Sequence, residues 1–178
     1  LAWSEAHAKA SPGKESAMFA SLPASVKELP ALEIGCGYGG TIQALRCAGF
    51  KHIDATEHCP SRAAAVGQSF EISVTEDMPP RRYGLIVSHH VLEHCTDPAA
   101  LIRECAKRQE PGDWMVHGLP NFEGEPAMGV LLFLPHLWSF THCTLEIMAS
   151  ECGYACREHS HTEYGLKAFM QRGHPDGC

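Results

Sequence analysis

The chain has 178 residues, 44% hydrophobic and 20% charged, the length and proportions of about one soluble globular domain and not of a disordered chain. A net charge of −7 with no Lys/Arg run argues against nucleic acid or an anionic membrane surface as the main partner, since that affinity comes from neutralised phosphates. Nine scattered cysteines lack the spacing of a disulfide scaffold, and the N-terminus lacks a basic-then-apolar signal, so a reduced, cytoplasmic chain is expected.

Residues 1–29, with Trp3, Met18, Phe19, Leu22 and Val26 among Ala, Ser and Lys, read as a helical lead-in, leaving residues 30–178 as the core of a single domain. From Pro30 onward β-prone runs alternate with helical patterns, the signature of an α/β fold with a mainly parallel sheet. The expected strands are Ala31 to Ile34, His52 to Glu57, Ile72 to Thr75, Leu85 to Ser88, Trp114 to Gly118, Ala155 to Ser160 and Leu166 to Gln171. One helix begins near Thr41, with Ile42 and Leu45 on its inner face, and stops at Gly49. A second has Asp97 as N-cap, Pro98 in its first turn, a stripe of Leu101, Ile102 and Cys105, and its end by Pro111-Gly112. A third runs from Thr141, with Leu145, Met148, Ala149 and Cys152 on one face and Gly153 as its stop. The longest apolar stretch, Ala127 to Phe140, is too short to span a bilayer and holds Pro135 and His136, so no transmembrane segment is expected and the stretch reads as a lid or pocket wall.

The most informative segment is Leu32-Glu33-Ile34-Gly35-Cys36-Gly37-Tyr38-Gly39-Gly40, where the first strand turns into a helix. Glycines there permit positive φ and let a ligand approach the backbone, while the helix start presents unpaired N–H groups. Gly35, Gly37 and Gly40 also satisfy G-x-G-x-x-G, so an NAD-dependent oxidoreductase is the competing reading. Glu33, two residues before the first glycine, separates the two: negative charge has no use beside a pyrophosphate but suits a ligand with an ammonium group. Glu57, eighteen residues after Gly39, ends the second strand where Rossmann-like folds place a carboxylate on ribose hydroxyls.

The loop resembles motif I of class I S-adenosylmethionine (SAM)-dependent methyltransferases, acid-x-G-x-G-x-G, filled here by Glu33, Gly35, Gly37 and Gly39. Leu85-Ile86-Val87-Ser88-His89-His90-Val91-Leu92-Glu93-His94 is similar to the fourth-strand run of the ubiquinone and menaquinone methyltransferases, with Gly84 where that family usually has Asp. Further resemblance lies in Arg108 to Trp114, in Leu119-Pro120-Asn121, and in His136 to Thr141 followed by Leu145 and Gly153-Tyr154. The resemblance implies a Rossmann-like class I methyltransferase fold, a seven-stranded, mainly parallel sheet with an antiparallel last strand and helices on both faces. It implies SAM as cofactor, S-adenosylhomocysteine (SAH) as product, and a small-molecule acceptor. Cofactor contacts are expected from Glu33, Gly35, Cys36, Gly37, Tyr38, Gly39, Glu57 and its neighbour His58, from Glu76 or Asp77 with Met78 at the adenine, and from the backbone of Ser88 and His89.

The run His90 to His94 also spells H-x-x-E-H, the inverted zinc-protease motif, but it starts where a buried strand ends and so lies on a loop. Cys143, Cys152, Cys156, His159 and His161 offer no C-x-x-C pair, and no metal is expected. A methyl acceptor that must lose a proton needs a base, for which His90 and His136 are the candidates. Val130 to Leu134, Leu137 and Trp138 would cover a partly hydrophobic acceptor. A non-catalytic SAM- or SAH-binding module is the remaining alternative.

Overall fold

The computed structural model describes residues 12–120, 136–161 and 165–173. Their strands form a seven-stranded sheet in the order β3-β2-β1-β4-β5-β7-β6. The chain divides into two units, Leu1–Val87 and Ser88–Cys178.

The first unit holds helices α1 (Pro12–Ala20) and α2 (Ala24–Lys27), then β1 (Ala31–Ile34), α3 (Gly40–Cys47), β2 (Ile53–Thr56), α4 (Pro60–Phe70) and β3 (Val74–Thr75), and opens β4 (Leu85–His89). The described part of the lead-in is helical, and α1 packs on α3 with Phe19 fully buried. All four residues of β1 are buried, as the inner strand of a parallel sheet requires. β1 pairs parallel with β2 from Ala31 opposite Ile53 to Ile34 opposite Thr56, and β2 pairs parallel with β3 through Ala55 and Thr56. This register carries the glycine loop and Glu57 out of the same edge of the sheet. In α3 the inner face is Thr41, Ile42, Ala44 and Leu45. Two expectations need correction. The third strand is only Val74–Thr75, with the Ser73 carbonyl just before it accepting from the Ala55 amide of β2 at 3.2 Å. Helix α4, which the sequence reading did not identify, starts on Pro60 and ends with Glu71 in the left-handed region.

The second unit continues with a single tight turn at Leu92–His94, then α5 (Pro98–Ala106), β5 (Trp114–Leu119), α6 (His142–Glu151), β6 (Tyr154–His161) and β7 (Leu166–Arg172). Asp97 caps α5 by accepting from the Ala100 amide at 2.8 Å, and Thr141 caps α6 in a reciprocal pair with Thr144. Helix α5 stops at Ala106, short of Pro111. β5 pairs antiparallel with β7, and β7 antiparallel with β6, so the last strand, β7, runs against both its neighbours, as expected of an antiparallel last strand. The core of this unit is Ile102, Cys105, Met115, Val116, Leu145, Ala149, Leu166 and Met170. Trp3, Asn121, and most of the apolar wall, including Val130 to Leu134, lie outside the described residues. No described helix is long and apolar enough to cross a membrane.

Candidate active site

Between β1 and α3 the chain turns through Gly35, Gly37 and Gly39 at φ of 69°, 54° and 82°, a left-handed path that L side chains resist. A Cβ on Gly39 would also stand 2.4 Å from the Phe70 ring of α4, whereas one on Gly37 would meet nothing within 4 Å. The loop is tied to the end of β2: the Gly35 amide donates to Thr56 Oγ1 at 3.3 Å, the Cys36 amide to the Thr56 carbonyl at 2.9 Å, and the Gly37 amide to Glu57 Oε2 at 3.0 Å. Glu57 Oε1 accepts from the Cys59 amide and from Arg62 Nη2, both at 2.8 Å. Burial pushes the Glu57 pKa up, but Arg62 and the Cys59 and Gly37 amides outweigh it and hold the group below the usual carboxylate range. It is an anion joined directly to the loop.

Glu33 is its opposite. Its side chain is buried beneath the first turn of α3, hydrogen-bonded by the Thr41 hydroxyl and the Ile42 amide, with Oε2 lacking any hydrogen-bond partner. Desolvation raises its pKa to about 8. At 3% exposure its reach toward a ligand runs through the loop backbone. Burial, with the charges of Glu33 and Glu57, raises Cys36 to about 12, so this thiol stays protonated and is no nucleophile.

Beyond β2 and β3 the expected adenine and ribose neighbours are at the surface. His58 Nδ1 stands 3.8 Å from Glu76 Oε1 with both side chains exposed, Asp77 is exposed, and the Thr75 hydroxyl pins the turn by donating to the Asp77 carbonyl at 2.7 Å. Met78 is half-buried. A cavity of about 340 Å³ flanks the loop, and of the predicted residues only Gly37 and Tyr38 line it, the rest of its wall being α4 from Ser61 to Phe70. Arg62 was missed at the sequence level because it lies on that unrecognised helix.

In the second unit Ser88 Oγ and His117 Nδ1 are 2.6 Å apart and fully buried. Burial, with His89 beside it, lowers the His117 pKa to about 3, so its ring is neutral. The His89 ring sits over Gly118, where a Cβ would approach its Cδ2 to 2.0 Å. His90 has φ of 53°, an uncommon conformation for a side-chain-bearing residue and one that often marks a functional position. Its Nδ1 lies 3.0 Å from Oε1 of the fully buried Glu93, while its ring is 43% exposed. Leu92–His94 is one tight turn, so H-x-x-E-H is not a helical pair of ligands. His136 does come to this segment: its ring centroid is 4.9 Å from that of His94, and the next two amides, Leu137 and Trp138, donate to the Glu93 carbonyl.

The loop fits an adenosyl amino acid better than a dinucleotide. The anion Glu57 is joined to it, Arg62 is already paired with Glu57, and the space beside Gly37 is open. A pyrophosphate would meet the Glu57 anion where it needs a cation.

A family model described as a methyltransferase domain matches residues 3–159. The ubiquinone biosynthesis O-methyltransferase of Bordetella bronchiseptica is 30% identical over 101 residues, 51% of this chain and 42% of that protein. The protein of the same name from Methylococcus capsulatus is 27% identical over 93 residues, 46% of this chain and 39% of its own length. The matches therefore span less than half the length of these curated relatives. Among solved structures, an S-adenosylmethionine-dependent methyltransferase from Mesorhizobium loti superposes with a TM-score of 0.71 at 16% identity, covering 88% of this chain and 96% of that one. The mitomycin 7-O-methyltransferase MmcR gives 0.76 at 15% identity, covering 96% of this chain and 56% of its own. Glycine loop, strand order and family match agree: the chain belongs to the class I SAM-dependent methyltransferase domain family.

Proposed function

We propose that this chain acts as a single domain, residues 1–178, transferring a methyl group from SAM to a small, partly hydrophobic acceptor. The observation that carries the reading is the Gly37 amide bonded to Glu57 Oε2, which sets a carboxylate beside an open, positive-φ glycine turn. Glu57 is suited to accept from both hydroxyls of a ribose, taking them in exchange for Arg62 at Oε1. The loop from Gly35 through Cys36, Gly37 and Tyr38 to Gly39 would lie along the adenosyl amino acid, with Glu33 anchoring α3 beneath it. His58, Met78 and either Glu76 or Asp77 are assigned to the ribose and adenine side. Ser88 and His89 are assigned to the methionine arm by their backbone, since the Ser88 hydroxyl already faces His117.

When bound, SAM supplies a methyl group activated on a sulfonium, so the protein's work is alignment and exclusion of water. An acceptor hydroxyl must also lose a proton. His90 is the preferred base because buried Glu93 takes its Nδ1–H and fixes the tautomer that presents Nε2 as the acceptor. His136 is the alternative. Leu137 and Trp138, 56% and 45% exposed, offer an apolar surface in the same unit. The curated relatives are named O-methyltransferases of ubiquinone biosynthesis, which makes a hydroxyl oxygen the first acceptor to try. The net charge of −7 disfavours nucleic acid, and the described cysteines, all free, fit a reducing cytoplasm.

Titration calorimetry with SAM, SAH and NAD tests the cofactor. SAM and SAH should bind one equivalent and NAD none. Glu57→Gln should weaken SAM by about tenfold or more, the loss of a charged hydrogen-bond acceptor. Labelled SAM offered with a panel of phenols tests transfer; SAH binding with no transfer on any acceptor would make the chain a binding module.

A further inference from the structure

The sequence reading set metal aside because His90 and His94 do not share a helix, but the fold replaces one of them. Glu93, His94 and His136 each offer a ligand atom, and these atoms all lie within 4.8 Å of one another. Glu93 is fully buried, and its Oε2 has no hydrogen-bond partner. A buried, incompletely satisfied carboxylate is costly unless a cation completes it. The site is also braced. His90 Nδ1 holds Glu93 Oε1 at 3.0 Å, the Leu137 amide donates to the Glu93 carbonyl at 2.7 Å, and Trp138 Nε1 donates to the Cys95 carbonyl at 2.8 Å. Those bonds fasten the His136 segment to the turn that carries Glu93 and His94, as outer contacts commonly do around metal ligands.

We propose that Glu93, His94 and His136 form a binding site for a divalent cation of the zinc class. Two imidazoles and one carboxylate are a set that zinc and its first-row neighbours take, and a fourth position stays open to an oxygen donor. Donors about 2.0 Å from a tetrahedral ion stand about 3.3 Å apart. No pair here is more than 4.8 Å apart, so none must close by more than about 1.5 Å. In this arrangement His136 is a ligand, and the base role falls to His90 alone.

Exposed free cysteines such as Cys47 and Cys143 offer thiolates to any added zinc, so the probe is Co²⁺ on protein stripped with a chelator, read by its visible spectrum. The expected result is one equivalent with the d–d bands of nitrogen and oxygen ligands and no thiolate charge transfer. Affinity should fall by roughly tenfold or more in both His94→Ala and His136→Ala, and stay unchanged in Cys143→Ser. Circular dichroism checks that each variant is folded. A thiolate spectrum, binding unchanged in either histidine variant, or no bound equivalent overturns the proposal. The titration needs neither SAM nor acceptor, so its failure leaves the methyltransferase reading standing.

Discussion

His90 and Glu93 show how little separates a structural pair from a catalytic one. A carboxylate with 0% exposure fixes one ring nitrogen, and 43% exposure of the ring leaves the side chain accessible to a reactant. His90→Asn tests the assignment cleanly, because Asn tolerates the left-handed backbone at φ 53° and still donates to Glu93 but takes no proton. On the acceptor that the phenol panel yields, kcat should fall by roughly 10²- to 10⁴-fold, while SAM affinity holds. An unchanged kcat would make His90 a wall of the pocket.

At the scale of elements, Gly84 explains a departure from the family pattern. It precedes β4 and lies under α2 and the chain behind it: a Cβ there would be 2.7 Å from the Val26 carbonyl and from Leu29 Cβ. Restoring the family's Asp by Gly84→Asp should therefore destabilise the protein by about 1–3 kcal/mol through overpacking, seen as a lower urea midpoint at constant slope. What the sequence made legible follows the same local physics. Helices α5 and α6 could be read because Asp97-Pro98 and Thr141 are strong start signals and their inner faces carry Ile102, Cys105, Leu145 and Ala149. Helix α4 could not, because Val66 is its one buried residue and no apolar period marks it. Arg62 was lost with it, although the spacing of Gly39 and Glu57 had located the partner that Arg62 holds. The Ser88–His117 pair was illegible for another reason, a contact made by sheet pairing between residues 29 apart in the chain. His94 and His136 also meet across a long separation in the chain that no periodicity encodes.

For the molecule as a whole, two buried titratable groups give stability opposite pH trends. Glu33 has a folded pKa near 8 against 4.5 for the ordinary group, so between those values only the unfolded chain releases its proton. The stability it contributes is full below 4.5 and is lost by about 1.4 kcal/mol per pH unit as pH rises toward 8. His117, near 3 against an ordinary 6.5, works the other way: its contribution is full above 6.5 and is lost at the same rate as pH falls toward 3. Between pH 4.5 and 6.5 the slopes cancel, leaving a plateau that declines on both sides. Glu33→Gln should flatten the decline above 6.5, and His117→Gln the decline below 4.5. The cancellation holds only if both groups report on one cooperative transition. Glu33 lies in Leu1–Val87 and His117 in Ser88–Cys178, so independently melting units would show two urea transitions drifting in opposite directions with pH. A single transition with a flat top, measured by urea unfolding from pH 4 to 9, is the outcome expected of one domain; two diverging midpoints would dismantle it.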